Sequence, residues 1–350
     1  MRGQDFLPHS PVGVIGAGSF GTAIAQLLAI NTDVLVYSRT AETVENINVR
    51  HQCMGISLPQ NVRATSSPEE LARTCTLLFP IVTSESFRSV MQLFAPFIRP
   101  SHIIIHATKG LDLVGIDADN LPNTIQRAQV RTMSEVILEE TSAVRVGCLS
   151  GPNLAREIFE GQPTATLIGS RYTEVIKAGK IVLNSKKFHV FGSHEILGAE
   201  LAGALKNVIA LGSGILAGRG MGKNIQAMLI TRGLSEMIVF GKAFGTGAQA
   251  FLGTAGIGDL VATATSTNSR NFTFGYRLAK GETVAQIMET MTEVAEGVRT
   301  VNIAIRLARA YKLPVPITTV IYRVVFEGFD VERAVEFLMQ YPYEVDVDFV

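Results

Sequence analysis

The sequence has no tryptophan, few cysteines and no excess of charge of either sign. Lysine plus arginine number 31, and so do aspartate plus glutamate, which leaves no net-charge case for a nucleic-acid or polyanionic partner. Cys53, Cys75 and Cys148 stand far apart with no CxxC spacing. An odd, scattered set of three points to reduced, buried thiols in a cytoplasmic compartment rather than to a disulfide framework. The histidines are dispersed, without HExxH or paired ligand spacing, so no metal site is expected. No run reaches the ~18 uninterrupted apolar residues of a membrane span. The first residues, "MRGQDFLPHSP", carry no apolar core of a secretion signal.

What is present is glycine, alanine and branched aliphatics, spread over 350 residues. That length is enough for two cores. From Val12 to about Gly192, β-branched runs alternate with helical patterns: "VGVI", "VLVY", "LLFPIV", "IIIHAT", "VRVGCLS", "ATLIGS" and "FHVF". Such alternation predicts an α/β unit, a doubly wound, mostly parallel sheet with helices on both faces. "SPEE" at Ser67–Glu70 reads as a helix start, with a capping serine, proline in the first turn and two acids at the positive end of the dipole. After Gly192 the strand signal stops and helical periodicity runs from His194 to about Leu338, broken by glycine-rich loops at "AGRGMGKN" and "GTAGIGDL". The expected division is an α/β domain over 1–192 and an all-helical domain over 193–350.

"VGVIGAGSFGTAIAQLLA" places Gly16, Gly18 and Gly21 directly after a strand and at the opening of a helix. In that setting the first glycine permits the tight turn, the second lets backbone amides approach a pyrophosphate, and the third lets helix and sheet pack closely. This is the Rossmann pattern for a nicotinamide dinucleotide. The second strand ends in "VYSRT", with Arg39 where an NAD-selective fold usually carries an acid. An arginine suits a 2′-phosphate through bidentate bonds, so the reading leans to NADP(H) or to use of NAD(H) as well.

Other polar groups stand at the ends of buried elements. "IIIHATKGLD" ends an apolar strand in Lys109, where open α/β sheets bind their ligands. "SGPNLARE" places Gly151 and Asn153 in a loop before a helix. In the helical half, "LAGALKNVIALGSGILA" has one ionisable group, Lys206, among apolar neighbours at i, i+3, i+4 and i+7 spacing. That lysine either snorkels to water or is held inside for a purpose. "GIGDLVATATSTNSRN" offers Asp259, hydroxyls, Arg270 and Asn271, a set able to hold a phosphate. "AEGVRT" carries Glu296.

Together, "GAGSFGTA", "ATKGL", "SGPNLARE", "GALKNVIALGSGI", "ITRGLSEM", "GIGDLVAT", "SRN" and "AEGVRT", in this order from about Val12 to Pro316, resemble the NAD(P)-dependent glycerol-3-phosphate dehydrogenase family, especially its bacterial members. The resemblance implies hydride transfer between NAD(P)H and the C2 carbonyl of dihydroxyacetone phosphate, a small phosphorylated triose, supplying glycerol 3-phosphate for phospholipid synthesis. It implies that Lys206 exchanges the proton, that Lys109 lies against substrate and cofactor, and that Asp259 orients the lysines. Gly151, Asn153 and Thr263 would touch substrate, and Ser269, Arg270 and Asn271 would secure its phosphate end. Arg270 would also reach the cofactor, together with Ser19, Phe20, Ala155, Val294 and Glu296. Asn153 departs from the Ser or Thr more usual in bacterial relatives, Phe20 stands where Tyr is also familiar, and Arg39 where other members carry His. A related reductase of a hydroxy acid or sugar acid is the alternative, because those enzymes also use a helical-domain lysine. An apolar helical domain also makes a homodimer the expected assembly.

Overall fold

The computed structural model describes residues 10–117, 120–291 and 295–342. They form two compact units: one takes the chain up to Asp112 together with Thr132–Ile196, the other Leu113–Arg131 together with the chain from Leu197 onward. The first holds the eight-stranded sheet and the second is mostly helical.

Eight strands make that sheet: β1 (Val12–Ile15), β2 (Val34–Tyr37), β3 (Val62–Thr65), β4 (Leu77–Pro80), β5 (Ile103–His106), β6 (Arg145–Ser150), β7 (Thr164–Gly169) and β8 (Phe188–Ser193). Their order is β8-β7-β6-β5-β4-β1-β2-β3. All pairings are parallel except β6 with β7, where Cys148 faces Gly169 across an antiparallel register. The strands β1, β2 and β4 are buried at every position, as expected where helices cover both faces. One face packs Val14, Ile24, Val36 and Phe79 into a core, and the other packs Ile15, Leu71, Leu78 and Phe94.

Seven of these strands correspond to the runs read from the sequence. The eighth, β3, did not declare itself. It is an edge strand paired only with β2, and its "VRAT" turns Arg63 to solvent, so it lacks an apolar run. The start at Ser67 is as expected, with its hydroxyl accepting the Glu70 amide at 3.2 Å and Pro68 in the first turn. All three cysteines are buried and stand outside any disulfide, and burial pushes the Cys75 thiol up to about 12.

In the helical unit, Ile196–Gly218 is long and apolar enough to cross a membrane, yet almost all of it is buried inside the protein. It crosses the helix Arg270–Ala279 at very short range. A Cβ on Gly214 would lie 2.0 Å from the Phe272 carbonyl oxygen, and one on Gly275 would lie 2.1 Å from that of Leu211. Reciprocal glycines thus let two backbones touch. The glycines of "GTAGIGDL" form a helical turn rather than the expected loop: Thr254–Gly258 is a π-turn leading directly into the helix Asp259–Thr265. A Cβ on Gly256 would collide with Phe251 backbone at 1.9 Å, so this turn closes only around glycine.

Candidate functional site

In the sheet unit, the ladder continues past the strand ends. Gly16 donates to the Tyr37 carbonyl at 3.1 Å, Ile81 to that of Ile15 at 2.8 Å and Ala107 to that of Pro80 at 3.1 Å. The glycine loop therefore leaves β1 at the point where strand order reverses, between β2 and β4. Gly16 has φ +119°, and a Cβ there would meet the Ile81 carbonyl oxygen at 2.3 Å. A Cβ on Gly21 would meet the Gly16 carbonyl oxygen at 2.0 Å. Gly18 is different: a Cβ would meet nothing within 4 Å. Packing therefore demands glycine at 16 and 21, but open space lies in front of 18.

Gly18 is also the N-cap of the helix Ser19–Leu28, which has no side-chain cap and no acid in its first turn. Its first amides are left for an anion. An uncapped helix start behind a loop with room at its middle glycine fits the pyrophosphate of a dinucleotide. Ser19 and Phe20 sit in that first turn, and Phe20 and Ala155 each pack against the core of the sheet unit. Arg39 is exposed just beyond β2, next to buried Ser38, whose hydroxyl accepts the Thr40 amide at 3.4 Å.

The ends of β5 and β6 bring Lys109, Gly151 and Asn153 together. The Lys109 ammonium donates to the Gly151 carbonyl at 2.9 Å, and Gly151 has φ +148°. Asn153 is 8 % exposed, and its Nδ2 donates to the Thr166 hydroxyl at 2.8 Å. Thr166 in turn donates to the Ser150 carbonyl at 3.1 Å. The Asn153 Oδ1 is buried without a hydrogen-bond partner. Buried acceptors in that condition are uncommon and mark places where a donor from a ligand can bind. Thr166, which holds Asn153, was not singled out from the sequence; a hydroxyl in the middle of a strand carries no local signal.

In the helical unit, Lys206 is 4 % exposed and Asp259 1 %. The ammonium donates to Asp259 Oδ1 and to the Thr263 hydroxyl, both in short contacts, and Thr263 donates to the same Oδ1 at 3.2 Å. Lys206 does not snorkel. Asp259 and Thr263 are one helical turn apart on Asp259–Thr265, so a single face supplies both. A bond of 2.6 Å from the Ser213 hydroxyl to the Ala264 carbonyl ties that helix to the lysine's helix.

Ser269 caps the helix Arg270–Ala279 by accepting the Phe272 amide. Arg270, next in line, is exposed, whereas Asn271 is buried and its Oδ1 accepts the Gly297 amide at 2.8 Å. A Cβ on Gly297 would meet the Asn207 carbonyl oxygen at 2.6 Å. The neighbours of Lys206, Arg270 and Glu296 in the chain thereby pack together. Val294 lies outside the described residues. Glu236, in "ITRGLSEM", was missed as a structural carboxylate. It is 5 % exposed and accepts the amides of Ile317 and Thr318 at 2.5 and 2.8 Å and the Thr318 hydroxyl at 2.7 Å. Burial pushes its carboxyl up to about 7, partly offset by those donors.

Residues 11–176 match the family model described as the NAD-dependent glycerol-3-phosphate dehydrogenase N-terminus, and residues 195–336 match its C-terminus. The chain belongs to the NAD-dependent glycerol-3-phosphate dehydrogenase family. It is 35 % identical over 341 residues to a glycerol-3-phosphate dehydrogenase [NAD(P)+] of Alcanivorax borkumensis, covering 96 % of this chain and 95 % of the relative. It is 37 % identical over 342 residues to one of Teredinibacter turnerae, covering 96 % of both. Among solved structures, glycerol-3-phosphate dehydrogenase from Coxiella burnetii superposes with a TM-score of 0.84 at 29 % identity, covering 95 % of this chain and 99 % of that one. A Ralstonia eutropha ketopantoate reductase shares the fold at a TM-score of 0.57 and 16 % identity, covering 95 % of this chain and all of that one. As a member of this family the chain is an oxidoreductase that uses NAD or NADP.

Proposed function

We propose that this chain interconverts dihydroxyacetone phosphate and sn-glycerol 3-phosphate, and that Lys206 is the group that exchanges the proton with the C2 oxygen. The observation that carries the reading is the buried trio of Lys206, Asp259 and Thr263. NAD(P)H, when bound, supplies the hydride. As the carbonyl is reduced, negative charge grows on its oxygen. The Lys206 ammonium stabilises that charge and delivers a proton to the oxygen, and in oxidation the neutral amine takes it back. Asp259 holds the lysine head group in place.

The same reading assigns Gly16, Gly18, Ser19, Phe20, Gly21 and Arg39 to the dinucleotide, with Ala155, Val294 and Glu296 as further contacts. Lys109 complements the negative charge of the substrate, Gly151 and the open Oδ1 of Asn153 take its hydroxyl, and Ser269, Arg270 and Asn271 take its phosphate. The product is a glycerol backbone for phospholipids. A homodimer is part of the proposal, checked by light scattering in line with size exclusion. So is a cytosolic location, which three buried cysteines outside any disulfide support.

Purified protein mixed with dihydroxyacetone phosphate should oxidise NADPH or NADH, followed at 340 nm. No oxidation of either, by folded protein that binds a dinucleotide, would overturn the reading.

A further inference from the structure

The helix Ser84–Phe94 grips the loop that carries Lys109 from both sides. Phe87 is fully buried and sets its ring edge-to-face on His106, three residues before the lysine, with ring centres 5.8 Å apart. The next residue, Arg88, sends Nε to Asp112 Oδ2 at 2.8 Å, three residues after it. The other two guanidinium nitrogens go to Glu139 at 2.9 Å and, in a short contact, to Glu140, at the end of the helix Met133–Glu140. Just before the gripping helix, the Val82 carbonyl accepts the Thr108 hydroxyl at 2.6 Å. Asp112 is 6 % exposed, so its carboxylate needs this partner.

We propose that Arg88 is a positioning residue for Lys109: by fixing Asp112 against Glu139 and Glu140, it sets the course of the 109–112 backbone and hence the reach of the Lys109 ammonium. Three carboxylates around one guanidinium are more than a stabilising surface bridge requires. Isolated exposed pairs contribute little, whereas a planar fork with each nitrogen engaged locks geometry. An error of about 1 Å in a substrate-orienting group costs on the order of a hundredfold in rate.

The inference rests on the reading that Lys109 touches substrate, and a double-mutant cycle separates the two. Arg88→Met and the volume-preserving Asp112→Asn are each made in the wild-type and Lys109→Ala backgrounds. Dinucleotide affinity is measured by fluorescence titration and kcat/KM with dihydroxyacetone phosphate. In the wild-type background each change should lower kcat/KM about 10- to 100-fold, and should weaken the dinucleotide no more than Lys109→Ala itself does. Arg88→Lys should recover part of the loss. In the Lys109→Ala background the same changes should cost less than about twofold. Equal losses in both backgrounds, or a loss of dinucleotide affinity larger than that of Lys109→Ala, would overturn the positioning role while leaving Lys109 in place. A Lys109→Ala enzyme with wild-type kcat/KM would instead sink the reading of Lys109, and this inference with it.

Discussion

Replacing Lys206 by methionine keeps the apolar stem and removes the charge, leaving the Asp259 carboxylate buried with the Thr263 hydroxyl at 3.2 Å but without its cation. Breaking a buried pair in this way costs roughly 3–5 kcal/mol. At about 2–4 °C per kcal/mol for a unit of this size, the melting temperature should fall by roughly 6–20 °C. Turnover should drop by about a thousandfold or more, because proton transfer and stabilisation of the developing oxyanion are lost together. The double variant Lys206→Met/Asp259→Leu should regain most of the stability, since an apolar pair does as well as an ionic one in such a place. It should regain none of the activity. Circular dichroism at 222 nm and NADPH oxidation at 340 nm measure the two quantities. An unchanged melting temperature in Lys206→Met, or a kcat within tenfold of wild type, would refute the reasoning.

Gly18→Ala should fold with an unaltered melting temperature and bind dinucleotide at least tenfold more weakly, whereas Gly16→Ala should lose stability first, since its Cβ collides with Ile81 backbone at positive φ. Equal melting temperatures in calorimetry would contradict this split. Arg39→Ala should weaken NADPH by about 1–2 kcal/mol and leave NADH nearly unchanged; equal losses in titration would remove the 2′-phosphate role. Glu236 has a folded value of about 7 against an ordinary 4.5. A raised value gives stability that is complete below 4.5 and lost as the pH climbs through 7, on the order of 3 kcal/mol in all. Urea unfolding of wild type relative to Glu236→Gln should therefore worsen between pH 5 and 8, and a flat difference would refute it.

How much was legible depends on where the signal lives. The glycine loop announced itself because a turn, a close approach and a helix start must all occur within six residues, and only glycine meets those demands. Lys206 stood out as a charge against an apolar periodicity. Its partner could not be derived from spacing, since Asp259 is 53 residues away and becomes its neighbour only through helix packing. The same limit hid the excursion Leu113–Arg131, which packs with the helical unit: the Ile125 amide donates to the Arg306 carbonyl at 3.3 Å, and the Arg127 guanidinium lies 4.6 Å from the centre of the Phe244 ring. Its sequence has no period of its own, so nothing local says which core it joins. The reversal of β7 was equally silent, because a buried strand reads the same in either direction.

Three buried carboxylates show why satisfaction of polar groups, rather than burial, separates chemistry from architecture here. Glu236 accepts three donors at a helix start, and Asp112 is matched to a guanidinium fork; both hold backbone in place. Asp259 instead shares one oxygen between an ammonium and a hydroxyl, an arrangement that an apolar pair could replace without loss of stability. Asn153 keeps a buried acceptor without a hydrogen-bond partner, and Gly18 keeps space that packing does not use. Each of these last three is a local disadvantage for folding alone. In the proposed function each has a use: a pyrophosphate against Gly18, a donor on Asn153, and a changing charge beside Lys206.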